Sequence, residues 1–209
     1  MVLIVTSILI AFALDASWDA WRRTSDARLN RRALREEFAT NRNTVDRAIQ
    51  RHTNIQSRLE TLLGTLASTK HGGFVNVPDS LLSAIFEWRT QDWVTGTLQS
   101  FIESDGLHQV SDPEVRAGIA GWPARLADVN EDQELVRDYV NNVLLASMAQ
   151  RFPIAHLVEP WPKNLTGTTQ IRLDSELHAL IAARTAHQTL VVRSLTTFRA
   201  QMDSVILRL

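Results

Sequence analysis

The first 63 residues contain neither proline nor glycine. A stretch of that length with no helix breaker is predicted to fold as one uninterrupted helix. Its beginning differs in character from the rest. Residues 2–14 are apolar except for Thr6 and Ser7, whose hydroxyls can bond back to helical carbonyls. The first acid is Asp15, and Trp18 and Trp21 follow it three residues apart. Indole rings with an apolar body and a polar N–H favour a membrane–water interface. From Val2 to Trp18 a helix rises roughly 25 Å, the short end of what crosses a hydrocarbon core of ~30 Å. Residues 1–21 are therefore expected to form a transmembrane anchor, with Trp18 and Trp21 at the membrane interface. A signal peptide cut after Ala11-Phe12-Ala13 is the weaker reading, because no basic segment precedes it and the helical pattern runs on through the cut.

Beyond the anchor, a heptad marks the same helix. One seam position reads Arg31, Phe38, Val45, His52, Leu59, Leu66, and the other reads Leu34, Asn41, Ala48, Ile55, Leu62. Alternating spacings of four and three are the signature of a narrow coiled-coil stripe. Phe38, Val45, His52, Leu59 and Leu66 are thus expected to form a self-association seam, with Asn41 and His52 as polar register-setting positions. Anchor and helix together would extend roughly 100 Å.

Lys70-His71-Gly72-Gly73 should end this helix, since glycine accepts the left-handed conformation of a C-terminal cap. Residues 74–78 read as a connector, and two short helices are expected over about residues 79–89 and 93–103. Ser111-Asp112-Pro113-Glu114 is a helix start: Asp112 can cap, Pro113 suits the first helical position, and Glu114 meets the positive end of the dipole. That helix should run to about Gln150 with a kink at Gly121-Trp122-Pro123. Residues 152–169 read as an irregular connection. A last helix begins at Asp174 or Ser175, with the seam Leu177, Ile181, Arg184, Gln188, Val191, Leu195, Phe198, Met202, Val205, Leu209. The expected fold class is all-α. The N-terminal transmembrane helix continues into a long helix, packed in an elongated antiparallel bundle of three long helices plus shorter ones, with residues 22–209 as one helical domain.

Composition narrows the functional classes. Hydrophobic residues make up 44% of the 209, enough for a core without the anchor. A formal net charge of −1 leaves no global basic footprint for nucleic acid. The chain has no cysteine, which excludes disulfides, thiolate metal sites and cysteine nucleophiles. The acidic run from Asp128 to Glu134 mimics the start of a calcium loop. Gln133 and Tyr139, however, stand where the loop needs its glycine and its bidentate glutamate. The six histidines form no metal-binding spacing, and no phosphate loop, dinucleotide fingerprint or nucleophile elbow is present. No catalytic residue, metal or cofactor is therefore assigned. Trp88, Trp93, Trp122 and Trp161 lie near breaks between helices, where they either cap the core or form an aromatic partner surface.

The anchor Val5-Thr-Ser-Ile-Leu-Ile-Ala-Phe-Ala-Leu-Asp15 with Trp18, the block Leu98-Gln-Ser-Phe-Ile-Glu-Ser-Asp-Gly-Leu107, Ser111-Asp-Pro-Glu-Val115 and Trp122-Pro123 resemble a family of bacterial conserved-hypothetical proteins. Their single N-terminal span is of the "GILIALQINNW" or "SILIAFALDAWW" type, followed by a helical body. The resemblance implies no activity and no catalytic residues. Arg22, Arg23, Arg28, Arg31, Arg32 and Arg35 all follow the span, which by the positive-inside rule would place the body in the cytoplasm. Members of the family generally carry a basic segment before the span, which implies instead a periplasmic body on a single-pass bacterial inner-membrane protein. The expected function is a membrane-anchored interaction or scaffolding protein, non-enzymatic, with the bilayer and a second copy or an envelope protein as partners. The alternative is a periplasmic sensor or small-ligand-binding bundle.

Overall fold

Helix α1 runs without interruption from Val2 to Ala67, as the absence of proline and of early glycine requires. The computed structural model describes residues 2–104, 106–158 and 165–209, with the side chains of residues 2–9, 11 and 23 outside that description. With 78% of the chain helical and one two-stranded sheet among the described residues, the class is all-α. In chain order α1 is followed by β1 (Phe74–Pro78), α2 (Asp79–Leu82) with a 3-10 turn to Ile85, α3 (Gly96–Glu103), α4 (Pro113–Ala120) and α5 (Trp122–Tyr139). A π-helical turn (Val140–Leu144) joins α5 to α6 (Leu145–Ala149), and α7 (Ala155–Val158), β2 (Thr168–Arg172) and α8 (Ser175–Arg208) complete the chain. Among the described residues no helix is long and apolar enough to cross a membrane. The expectation of a transmembrane helix over residues 1–21 is not met on that measure. Much of that stretch, residues 1–9 and 11, lies outside the described side chains.

The chain divides into two compact units. One comprises Met1–Arg42, Val94–Trp122 and Met202–Leu209; the other comprises Asn43–Trp93 and Pro123–Gln201.

In the second unit the apolar stripes of α1 and α8 are both buried. Val45, Ala48, Ile55, Leu59, Leu62 and Leu66 come from α1, and Leu177, Ile181, Val191, Leu195 and Phe198 from α8. Asp46 pairs with Arg199 at 2.5 Å and His52 meets Gln188 at 2.9 Å, so numbers rise along α1 as they fall along α8 and the two run antiparallel. Tyr139 donates its hydroxyl to the Leu180 carbonyl at 3.2 Å, while Val129 shares a groove with Leu190 and Phe198, so α5 is antiparallel to α8 as well. Within this unit α1 and α5 therefore run the same way. The segment from residue 68 to the start of α5 is the return limb between them.

That return begins at a sheet the sequence hid. Gly72 takes a positive φ of 81°, and its amide bonds to the Leu173 carbonyl at 2.7 Å. β1 then pairs antiparallel with β2, Phe74 opposite Arg172 and Pro78 opposite Thr168. Val77 and Ile171 turn inward from it. β1 lies where a connector was expected, and β2 begins in the expected irregular connection and runs past its end at Thr169. Asp79 ties the next turn to the sheet: its amide bonds to Gly167, and its buried carboxylate accepts from Thr169 at 2.7 Å and lies 3.3 Å from His156.

In the first unit, Leu34 and Phe38 of α1 are buried, as are Phe101, Val115, Ile119, Trp122 and Val205. The Phe38 and Trp122 rings meet edge to face with centroids 4.7 Å apart, a geometry that suits the quadrupoles of both rings. The return limb is pinned to α1 by two side chains one turn apart. The Asn41 amide both accepts from the Val94 amide (2.9 Å) and donates to its carbonyl (2.6 Å), as a neighbouring strand would. The buried Glu37 carboxylate accepts from Thr97 and Leu98 at 2.7 and 3.0 Å, capping the amides that open α3. Helix α3 therefore starts at Gly96, three residues later than expected. Asp112 caps α4 as the sequence indicates, accepting from Glu114 and Val115. An added Cβ at Gly118 would stand 3.2 Å from Val205, so glycine permits the close approach there.

Candidate functional site

Two features stand out from the packed body, and they are opposite in kind. One is an uncovered apolar surface, and the other is a buried chain of polar groups.

The uncovered surface belongs to the first third of α1. Ile10, Phe12, Leu14, Trp18 and Trp21 are 56%, 68%, 65%, 63% and 63% exposed. Scattered exposed apolar residues are normal on any protein, whereas five large ones within twelve residues of one helix are not. The Trp18 and Trp21 rings lie 5.3 Å apart, tilted by 36°. The change comes near Leu34, from which point the α1 stripe is buried.

The expected self-association seam is corrected by that burial. Phe38, Val45, His52, Leu59 and Leu66 are all 2% exposed or less, covered within this one chain. An intramolecular core and an intermolecular coiled coil show the same four-three spacing, because both demand one apolar stripe per helix. The stripe is not open to a second copy while the chain is folded. The aromatic surface is corrected in part for a similar reason. Trp122 is 1% exposed in the core of the first unit. Trp88 and Trp93 are half-buried in the second unit, where Trp93 donates to Asn130 at 2.8 Å and meets Phe198 edge to face. Trp161 lies outside the described residues.

The polar chain crosses the core of the second unit. Arg184 has no exposed surface. Its guanidinium donates to the carbonyls of Ile85 (3.1 Å) and Glu87 (2.6 Å) and to Gln188 Oε1 (2.9 Å). Those two carbonyls are thereby taken from any helix, and the helix expected over residues 79–89 gives way to α2 and a 3-10 turn ending at Ile85. Burial lowers the Arg184 pKa to about 10, with Glu87 and Tyr139 acting the other way.

Gln188 transmits a constraint to His52. Since Arg184 can only donate, the Gln188 oxygen must face it. The Gln188 nitrogen then donates to His52 Nδ1 at 2.9 Å and to the His52 carbonyl at 3.0 Å. Nδ1 is therefore the acceptor, and the neutral ring carries its proton on Nε2. Nε2 is buried with no hydrogen-bond partner. The Arg89 carbonyl raises the ring's basicity, yet it lies outside bonding geometry to Nε2. Burial dominates, helped by the charges of Arg51 and Arg184, and holds the His52 pKa at about 4. His52 is thus a neutral core residue, and this arrangement joins α1, the return limb and α8 at one level.

A shallow groove of about 290 Å³ lies between α5 and α8 of the second unit, with Arg125, Asp128, Arg193, Ser194 and Phe198 among its walls. Among the described residues, no three histidine, aspartate or glutamate side chains converge on a point that could hold a metal ion. No family model, curated protein or solved structure matches this chain.

Proposed function

We propose that the chain is a membrane-attached helical interaction or scaffolding protein, non-enzymatic, whose N-terminal stretch is seated in a bilayer. The observation that carries this reading is the row of large apolar side chains left uncovered from Ile10 to Trp21 on a helix that buries its apolar stripe thereafter. The apolar run of residues 2–14 continues the row toward the N-terminus. Leaving such a surface in water opposes the hydrophobic effect, at roughly 25 cal/mol for every Å². Two tryptophans at its end suit the headgroup level.

In this reading the chain is a single-pass protein of a bacterial inner membrane with its body in the periplasm, as its resemblance to the one-span family implies. A second copy or an envelope protein would dock on the outer faces of the body, since the α1 stripe is occupied. The test is flotation on lipid vesicles, comparing the full chain with one lacking residues 1–21. The full chain is expected to float and the shortened one to stay behind; equal behaviour would overturn the proposal. A reporter active only in the periplasm, fused after Leu209, reads the side of the membrane.

The sensor reading has in its favour the groove between α5 and α8. At about 290 Å³ it falls just below the range of established ligand pockets, roughly 300–1,000 Å³. A ligand-dependent rise in melting temperature, lost in Arg193→Gln, would restore it.

A further inference from the structure

Two sets of exposed side chains on α1 separate around its axis by charge. At about 100° per residue, Ile10, Leu14, Trp21, Arg28, Arg32 and Arg35 fall within about 60° of arc. Asp15, Asp19 and Asp26 fall within about 40° of arc, centred roughly 150° away. One face thus runs from apolar to aromatic to cationic, and the three acids occupy the far side, with Arg22 about 20° from their arc. Every side chain of the stripe is exposed. Arg28 and Arg35 make no ion pair among the described residues. Among the described residues Arg32 pairs only with Glu36, at 2.9 Å, with the two side chains 79% and 67% exposed. Such a pair contributes little to stability and yields readily to a better anion.

From this sorting we infer that α1 binds anionic phospholipid headgroups through Arg28, Arg32 and Arg35, and that this contact tilts the helix toward its arginine face. The inference rests on the membrane reading above and names the lipid chemistry of that same surface. Along the axis Arg28 stands about 10 Å beyond Trp21 and Arg35 about 21 Å beyond it. A helix normal to the bilayer would leave Arg32 and Arg35 outside the reach of the headgroup charge, which falls off within about 8 Å at physiological salt. A helix leaning toward its own arginines brings them to the phosphates, and the guanidinium fork matches phosphate oxygens in pairs. The opposite lean would press Asp15, Asp19 and Asp26 onto an anionic surface. The charge pattern therefore selects one direction of tilt, and the apolar residues Ile10 and Leu14 on the same arc are the ones that direction buries.

The chain has no cysteine, so Ala39→Cys, exposed and on the same arc, takes a single fluorophore. The labelled full chain is reconstituted in vesicles of phosphatidylcholine alone or with about one-third phosphatidylglycerol, carrying a headgroup-bound quencher. Quenching is expected to be about twofold greater in the anionic vesicles, to fall with added salt, and to lose that difference in Arg28→Gln/Arg32→Gln/Arg35→Gln, while the triple variant keeps its helicity and still floats. Equal quenching in both vesicles, or a triple variant that behaves as the parent, overturns the lipid contact and leaves membrane attachment standing. A chain that floats with neither vesicle overturns both.

Discussion

The neutral His52 predicts a specific acid weakness. In the unfolded chain its imidazole titrates at 6.5, and in the fold at about 4. The folded pKa is depressed, so between those values the unfolded chain takes up a proton that the fold refuses. Stability is then present above pH 6.5 and is lost as pH falls toward 4. For a single site with these values, the loss relative to neutral pH is about 1 kcal/mol at about pH 5.5 and about 2 kcal/mol at about pH 4.5. The physical cause is visible in the core. A proton on Nδ1 would face the Gln188 nitrogen, itself a donor held in place by Arg184, with two arginine charges near. His187, also depressed by burial and Arg184, acts with the same sign. Asp174, whose carboxyl is held down by the Leu177 amide and by Arg151, acts only below its ordinary 3.8 and so outside this window. Thermal unfolding between pH 7.5 and pH 5.5 should therefore shift downward by about 3–6 °C for a chain of this size. His52→Leu should lose most of that slope. Its cost at neutral pH should be modest, about 1 kcal/mol, because Gln188 keeps the backbone carbonyl of residue 52 as acceptor. A melting temperature flat across this range, or a His52→Leu variant with an unchanged slope, would refute the reasoning.

Three further outcomes follow from the packing. Leu59→Asp buries a carboxylate at a position with no exposed surface and should unfold the second unit, seen as lost helicity by circular dichroism; a folded variant that merely changes its oligomeric state would restore the seam as an intermolecular device. Arg184→Met removes a buried cation but strands the carbonyls of Ile85 and Glu87, and should cost about 2–5 kcal/mol by urea denaturation. Asp112→Ala deletes the α4 cap and should cost about 1 kcal/mol in the same assay, with Asp112→Asn recovering most of it.

What a sequence can carry by itself is local and periodic, and those parts of this protein are legible in it. The span of α1 follows from the missing breakers. Its stripe and that of α8 follow from four-three spacing, and the residues so marked are buried, apart from the exposed Arg31. Asp112 and Asp174 cap because their side chains reach amides two or three residues on. The chemistry of residues 2–21, apolar and then aromatic, is likewise a property of the string.

Tertiary structure decided everything that depends on partners distant in the chain. β1 and β2 are five residues each, too short to show a period, and each exists because the other is there 90 residues or so away. Glu37 reads as a surface charge one place off the seam, yet it caps a helix 60 residues further on. Arg184 and Gln188 interrupt an apolar stripe, and no spacing rule reveals that two carbonyls and a histidine answer them. The stripe of α1 could not declare whether its complement lay in another molecule or in this one. Burial is non-directional and rewards any apolar partner, so only the path of the return limb and α8 settled that α1 packs within its own chain.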